Sequence, residues 1–125
     1  MKMALDSSIN VNSIRRYATG RVTIRDRAFE QSLIVWPTRI KEDWAPETVE
    51  QLRAGDLKPL LDDPPEVLIL GTGDHQVFPP ASTFATMMDM GVGFEVMDNA
   101  AACRTYNILL AEQRRVAVAL LISVG

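Results

Sequence analysis

The spacing of hydrophobic residues in the first half of the chain is that of short β-strands. Val22 and Ile24 alternate with polar neighbours, which is the period of a strand with one buried face. Turn residues such as Thr19-Gly20 separate this stretch from its neighbours, and Pro37 ends the last one. Because the connections are short, the pattern predicts an antiparallel meander. Its three strands are expected over residues 13–18, 21–25 and 29–36.

A short helical region separates the meander from a second half with a different rhythm. Pro46 suits a first helical turn, Val49 and Leu52 face inward, and Pro64-Pro65 cannot continue a helix. Beyond it, nearly continuous apolar runs alternate with stretches whose apolar residues recur at helical spacing. The predicted order is strand 66–70, helix 80–90, strand 94–97, a helix capped by Asn99, and strand 116–124.

This order of elements predicts an α/β fold. Strands that are apolar throughout are buried on both faces, which is typical of parallel strands joined by helical crossovers. The expected sheet is therefore mixed and mainly parallel, with the N-terminal antiparallel hairpin or meander attached at one edge. The chain has 125 residues, the size of one domain. We expect residues 13–125 to form a single α/β domain and residues 1–12 to form a flexible N-terminal lead-in.

Composition excludes several classes of site and partner. Cys103 and His75 are the single residues of their kinds, which excludes an internal disulfide and a Cys/His zinc site within one chain. The net charge of −3 disfavours a nucleic acid partner. The longest apolar run, Val116–Ile122, is too short to span a bilayer, and residues 1–6 lack the apolar core of a secretory signal. We therefore expect a cytoplasmic protein with no membrane insertion.

A glycine turn after the first strand of the second half is the first candidate for chemistry. Gly71-Thr72-Gly73 follows that strand directly, and ligands of parallel sheets favour the carboxyl ends of strands. The sequence continues Asp74-His75-Gln76, so neither a dinucleotide fingerprint nor a phosphate-binding loop is present. Two interpretations remain: a tight turn that requires positive φ, or a backbone that approaches a ligand.

The helix that begins at Asn99 is the second candidate. Backbone N–H groups at a helix start attract anions, and Arg104 lies about one and a half turns into the helix, off its apolar stripe. A cation near a helix N-terminus is unfavourable, so it needs a compensating charge: an acid such as Glu95 or Asp98, or an external anion. The candidate ligand-binding residues are Gly71, Thr72, Gly73, Asn99, Arg104 and Thr105.

No set of residues in the sequence has a catalytic spacing. Cys103 shares the apolar stripe of its helix, where cysteine behaves as a small hydrophobe, and His75 lies in a polar loop. We therefore assign no catalytic residue, no metal site and no cofactor, and favour a non-enzymatic protein. Met87, Met88 and Met90 are interpreted as core residues rather than as a flexible binding groove. Trp36 and Trp44 are interpreted as packing residues, with covering the crevice or forming a partner surface as the alternatives.

Several segments resemble a domain-of-unknown-function family of small α/β proteins. The family includes a mitochondrial respiratory complex I assembly factor and many uncharacterised bacterial and archaeal members. The resemblance covers residues 13–124, and its most specific part is 97–109. The segments that carry it are Glu66–Gly73, Phe78-Pro79, Gly91–Asp98, Ala101–Leu109, Glu112 and Arg114–Ala117, with Leu33–Pro37 and Trp44 in the first half.

The resemblance implies a three-layer α/β fold with a mixed central sheet, and it implies no known reaction or cofactor. Asn99 stands where the family often has threonine, and Gln113 stands where glycine is common. We expect a non-enzymatic protein-binding factor that, by resemblance, assists the assembly of respiratory complexes. The alternative is a binder of a small anionic ligand at the cleft between the Gly71–Gly73 loop and the helix near Asn99, with Arg104 receiving the anion. An enzyme ranks last.

Overall fold

A computed structural model describes residues 11–123 of the chain. The predicted lead-in therefore lies, up to residue 10, outside the described residues. The strands are β1 (Ile14–Ala18), β2 (Arg21–Ile24), β3 (Arg27–Phe29), β4 (Leu33–Trp36), β5 (Arg39–Lys41), β6 (Val67–Gly71), β7 (Gly93–Met97) and β8 (Val116–Leu120). The helices are α1 (Lys58–Asp62), α2 (Ala81–Asp89) and α3 (Asn99–Ala111), preceded by 3-10 turns at Val49–Gln51 and Ala54–Leu57.

The strands form two sheets. The first is the antiparallel meander, in the order β1-β2-β3. The second has five strands in the order β5-β4-β8-β6-β7, in which β6 runs parallel to both β7 and β8 while β4 runs antiparallel to β8 and β5. The predicted α/β fold, with a mixed central sheet and an N-terminal antiparallel meander, is confirmed. The predicted attachment of the meander at one edge of the central sheet is wrong, because β1-β2-β3 form a separate sheet that packs against α3. Two of the four pairings in the central sheet are parallel. The other two are antiparallel, because β4 runs opposite to β8 and β5 returns beside β4.

Alternating side chains of the central sheet divide the hydrophobic core into two layers. Ile34 of β4 and Ala117 and Ala119 of β8 face α2 and the irregular segment before β6. Val35 of β4 and Val118 of β8 face α3 and the meander. Both faces of the sheet are therefore covered, which explains why β4, β6 and β8 are apolar throughout. The three layers implied by the family resemblance are present.

Three local predictions differ from the structure. The stretch 29–36 is divided into β3 and β4, because the Ser32 hydroxyl accepts the Ile122 N–H at 2.8 Å and diverts the chain into the second sheet. The strand β5 after Pro37 was not predicted. The helix expected from Pro46 forms only 3-10 turns and the five-residue α1. Isolated helices of this length are marginal, so packing decides their conformation.

The ordered fold includes Asn12, which the predicted boundary assigned to the lead-in. Its side-chain amide donates to the Trp36 carbonyl at 3.1 Å. Its own carbonyl accepts the Tyr106 hydroxyl at 2.8 Å. Asn12 is buried, so these contacts attach the start of β1 to both the central sheet and α3.

Gln113 lies in the loop between α3 and β8 and has a left-handed conformation, with φ of 63°. Glycine adopts this conformation without strain, so Gln113→Gly is expected to raise the free energy of unfolding by about 1 kcal/mol. Glu112, the preceding residue, has φ of −84°, and Glu112→Gly is expected to lower that free energy by about 0.5 kcal/mol. Urea denaturation of both variants measures the difference. If both variants are equally destabilised, the left-handed conformation of Gln113 does not strain the native protein.

Candidate functional site

The glycine loop and the start of α3 lie side by side, as the sequence predicts. Because β6 and β7 are parallel, with Gly71 opposite Met97, both strands end at the same rim of the sheet. Two hydrogen bonds then join the loop to the helix. The Asn99 N–H donates to the Gly73 carbonyl at 2.8 Å, and the Gly73 N–H donates to Asn99 Oδ1 at 3.0 Å. The loop and the helix are therefore in direct contact.

Asn99 is the central residue of this junction. Its side chain is 1% exposed. Besides accepting the Gly73 N–H, its amide donates to the Leu121 carbonyl at 3.0 Å and to the Tyr17 hydroxyl at 3.2 Å. One side chain thus connects the loop, the end of β8 and the meander. Every polar atom of the amide is satisfied by the protein itself.

The predicted capping role of Asn99 is wrong by one residue. Asp98 is the N-cap: it has extended backbone angles, and its carboxylate accepts the Ala101 N–H at 2.8 Å. Asn99 already belongs to the helix, so its side chain is turned towards the glycine loop instead. Asparagine and aspartate are equally good caps, and the sequence alone does not separate two neighbours of these types.

The glycines of the loop each meet a structural requirement. A Cβ on Gly71 would contact the Asn99 side-chain oxygen and lie 2.7 Å from Leu120 Cδ2. Gly73 has φ of +101°, which favours glycine. The Thr72 hydroxyl donates to the His75 carbonyl at 2.6 Å and accepts the Val77 N–H at 3.0 Å, so the loop is internally bonded. The tight-turn interpretation thus accounts for all three residues.

Arg104 lies about 140° around α3 from Asn99, the residue that contacts this loop. Its exposed side chain borders a groove of about 190 Å³ between α3 and β1. Among residues 11–123, Arg104 forms no ion pair, so neither Glu95 nor Asp98 supplies the compensating charge. Thr105 is half-buried and does not line this groove. The structure therefore brings together Gly71, Gly73 and Asn99, and directs Arg104 towards the meander.

Cys103 forms part of the buried face of α3. Burial raises the pKa of its thiol to about 12, so the thiol is protonated at neutral pH. A protonated, buried thiol is a poor nucleophile, which agrees with the interpretation of Cys103 as a core residue. In the part of the chain that the structure covers, no three His, Cys, Asp or Glu side chains are grouped to hold a metal ion.

The prediction for the methionines of α2 is partly wrong. Met87 is buried, but Met88 is 74% exposed and Met90 is also exposed. The helix has nine residues and contacts the sheet along one face. Met88 lies about 100° around the helix from Met87, which turns it to solvent.

Apolar side chains are exposed at both ends of β7, the outer strand of the central sheet. Met88 and Met90 precede the strand, whereas Val77 and Phe78, of which Phe78 is 66% exposed, lie near its far end. Val77 and Phe78 are held beside β7 because the side-chain amide of the adjoining Gln76 donates to the Val96 carbonyl at 2.9 Å. We call Val77, Phe78, Met88 and Met90 the β7 rim.

The two tryptophans pack in the core, as predicted. Trp44 is buried and donates its indole N–H to the Asp56 carbonyl at 2.8 Å. Trp36 lines an open depression of about 450 Å³ beside β5. The Arg39 guanidinium covers the Trp36 ring, 3.8 Å from its centroid, and donates to the Pro59 carbonyl. Arg39 thus covers the Trp36 ring, which is the aromatic surface of this depression.

Sequence reasoning missed two residues that organise the region around α3. Asn107 bonds both backbone groups of Ile14, and Tyr17 accepts the Asn99 amide. Asn107 carries a readable signal: it follows Cys103 by four residues, so it lies on the buried side of the helix, where an amide needs partners. Within residues 11–123, no helix is long and apolar enough to cross a membrane.

Comparison with curated proteins gives relatives of two kinds. The 13 kDa major membrane protein of Francisella tularensis subsp. holarctica is 27% identical over 103 residues, which are 82% of this chain and 84% of that protein. The NADH dehydrogenase (ubiquinone) 1 alpha subcomplex assembly factor 3 of Xenopus tropicalis is 41% identical over 56 residues, which are 45% of this chain. That match spans 31% of the assembly factor, so the chain matches about a third of its length.

Comparison with solved structures identifies the same architecture. A crystal structure of a protein from Bordetella parapertussis is 35% identical, with a TM-score of 0.83, over 90% of this chain and 97% of that one. A family model described as a protein of unknown function (DUF498/DUF598) matches residues 14–121. This range contains every strand and helix from β1 to β8. The chain therefore belongs to this family of proteins of unknown function.

Proposed function

We propose that this protein is a non-enzymatic protein-binding factor that assists the assembly of a respiratory NADH dehydrogenase. The proposal is supported by the relative in Xenopus tropicalis that is named an assembly factor of that enzyme. The observation that carries it is the β7 rim, which exposes large apolar side chains beside an outer strand. Contiguous exposed apolar side chains mark protein-binding surfaces, and here they form one pair at each end of the strand.

The backbone of β7 adds to this surface. Gly93 donates to the Glu66 carbonyl and Met97 accepts from Thr72, so both direct their backbone groups towards β6. The alternate residues, Phe94 and Val96, therefore direct theirs outward. Gln76 covers the Val96 carbonyl. An outer strand with backbone groups directed outward can pair with a strand of another chain, and the rim supplies apolar contacts at both ends.

Replacing the exposed residues of the rim is expected to weaken partner binding. We expect Phe78→Ser/Met88→Ser to reduce the recovery of NADH dehydrogenase subunits about tenfold or more, because exposed aromatic and apolar anchors dominate such interfaces. The measurement is affinity capture from a native lysate with the full chain as bait, followed by quantitative mass spectrometry of those subunits. Thermal melting of the variant checks that the fold is retained.

A matched variant tests whether the effect belongs to the rim. Ile108 is 58% exposed on α3, which packs on the opposite face of the central sheet. Ile108→Ser is expected to leave recovery unchanged. The proposal is wrong if the wild-type chain recovers no NADH dehydrogenase subunit, or if Ile108→Ser reduces recovery as much as the rim variant does.

A second candidate function is binding of a small anion by the residues that the sequence singled out. The loop of Gly71, Thr72 and Gly73 adjoins the start of α3 at Asn99, and Arg104, in the same helix as Thr105, has no ion-pair partner within residues 11–123. An anion would have to compete with the hydrogen bonds of the Asn99 amide. Binding of an anion at this loop would change the NMR amide resonances of Gly71–Gly73.

The proposed function includes a cytoplasmic location. The Francisella relative is named a membrane protein, which is the competing indication. Recovery of the chain in the membrane fraction of gently lysed cells would place its partner at the membrane. Recovery in the soluble fraction would agree with the proposed location.

A further inference from the structure

We infer that the groove between β1 and α3 binds a phosphate group through Arg15, Arg16 and Arg104. These three residues line it together with Tyr17 and Cys103. The groove lies on the α3 side of the central sheet, whereas the β7 rim flanks α2 on the other side. The inference therefore goes beyond the proposed partner-binding surface and does not depend on it.

The groove has fixed walls. At one end, Asn107 of α3 accepts the Ile14 N–H at 2.9 Å and donates to the Ile14 carbonyl at 2.7 Å. At the other end, Asn99 of α3 donates to the Tyr17 hydroxyl. These contacts hold β1 at a set distance from the helix. The arginines between them are therefore carried by a preorganised frame, which lowers the entropy lost when a ligand binds.

An irregularity in β1 contributes to the arrangement of the arginines. Ile14 pairs with Ile24 and Arg16 pairs with Thr23, so Arg15 is an extra residue in the strand. In a regular strand, consecutive side chains point to opposite faces. Here the bulge interrupts the alternation, and both Arg15 and Arg16 border the groove.

The charge of the groove is unlike that of the whole chain. The chain has a net charge of −3, yet three arginines line the groove and, among residues 11–123, no acid does. The nearby Asp26 reaches Arg15 only at 3.9 Å, and both side chains are well exposed. Three like charges around one depression repel one another, and a bound anion relieves that repulsion.

The hydrogen-bonding groups of the groove favour an oxyanion. Guanidinium groups are donors only, and their planar forks match phosphate oxygens. The Tyr17 oxygen already accepts the Asn99 amide, so its own proton can be donated to a ligand. Cys103 is protonated and adds no negative charge. Three cations suit a doubly charged phosphate better than a single carboxylate, and the groove is large enough for one such group.

The inference is tested by titrating the full, isotopically labelled chain with inorganic phosphate and with pyrophosphate in a phosphate-free buffer of low salt. We expect saturable changes in the amide resonances of Ile14–Tyr17 and Ala100–Arg104. Arg16→Gln/Arg104→Gln is expected to weaken binding by about tenfold or more, since hydrogen bonds between charged groups are the strong ones. Arg104→Lys keeps the charge and loses the fork, and is expected to show an intermediate loss.

Two control variants separate the groove from general charge. Arg21→Gln removes one positive charge from the adjacent strand β2, outside the groove, and is expected to bind within about twofold of wild type. Asp26→Asn removes the competing carboxylate and is expected to bind about twofold more tightly. Sedimentation with phosphatidylglycerol or phosphatidylcholine vesicles identifies the source: loss of binding to the anionic vesicles in the Arg16/Arg104 variant assigns a lipid phosphate.

The inference is wrong under any of three results. The first is no saturation below roughly 10 mM with either soluble probe together with no vesicle binding that depends on the groove. The second is an equal loss of binding in Arg21→Gln. The third is that only the resonances of Gly71–Gly73 change, which would move the anion to the glycine loop and support the second candidate function instead.

Discussion

Asn99→Ala is expected to lower the free energy of unfolding by about 3 kcal/mol, because it removes a buried amide whose three partners belong to different parts of the fold. The Leu121 carbonyl loses a buried hydrogen-bond partner, the half-buried Gly73 N–H loses its acceptor, and the missing atoms leave a void. Chemical denaturation with urea measures the loss. We expect the variant to lose stability without a change in the slope of the transition.

Two other variants give this result its meaning. Gln76 also donates an amide hydrogen bond, to the Val96 carbonyl, but its side chain is exposed. Gln76→Ala is therefore expected to cost less than about 1 kcal/mol. Asn99→Thr keeps one oxygen that can accept the Gly73 N–H and is expected to fall between the two. If Asn99→Ala costs no more than Gln76→Ala, the junction does not depend on this amide.

Gly71→Ala is expected to cost about 2–3 kcal/mol, because the new methyl group enters occupied space. Its Cβ would lie 2.7 Å from Leu120 Cδ2 and against the Asn99 oxygen, both of which are fixed by packing. Gly55→Ala is the matched control: no atom lies within 4 Å of its Cβ. Because that open space is established for the described residues 11–123, the variant is expected to be neutral or slightly stabilising. Equal effects of the two substitutions would contradict the packing described at the loop.

The double variant Gly71→Ala/Asn99→Ala is expected to lose less stability than the sum of the single variants. The truncated residue at position 99 makes room for the methyl group at position 71, so the two sites are coupled. A coupling of at least about 0.5 kcal/mol in a double-mutant cycle supports direct contact. Strict additivity would mean that Leu120 and Ala102, and not Asn99, oppose the methyl group.

Local patterns in the sequence predicted much of the fold. The alternation of Val22 and Ile24 reports a strand with one buried face, and both side chains are buried. The apolar run before Gly71 reports a strand covered on both faces. The glycine at Gly91 adopts positive φ at the predicted end of α2. These features depend on periodicity and on backbone conformation, which a few neighbouring residues determine.

The candidate site was predicted less completely, because its contacts join distant parts of the chain. Parallel pairing correctly placed the glycine loop beside the start of α3. The position of Arg104 depends on how the meander packs against α3, through contacts such as that between Ile14 and Asn107. No local pattern records that packing. Met88 was misassigned because its exposure depends on which face of α2 packs against the sheet, and that packing is also not recorded locally.

The most direct test of the proposed function is site-specific crosslinking in living cells. A photoreactive amino acid is placed at position 78, in the β7 rim, or at position 108, on the opposite side of the central sheet. We expect a subunit of the respiratory NADH dehydrogenase to be crosslinked from position 78 and not from position 108. Crosslinking to that subunit from neither position, or equally from both, would contradict it.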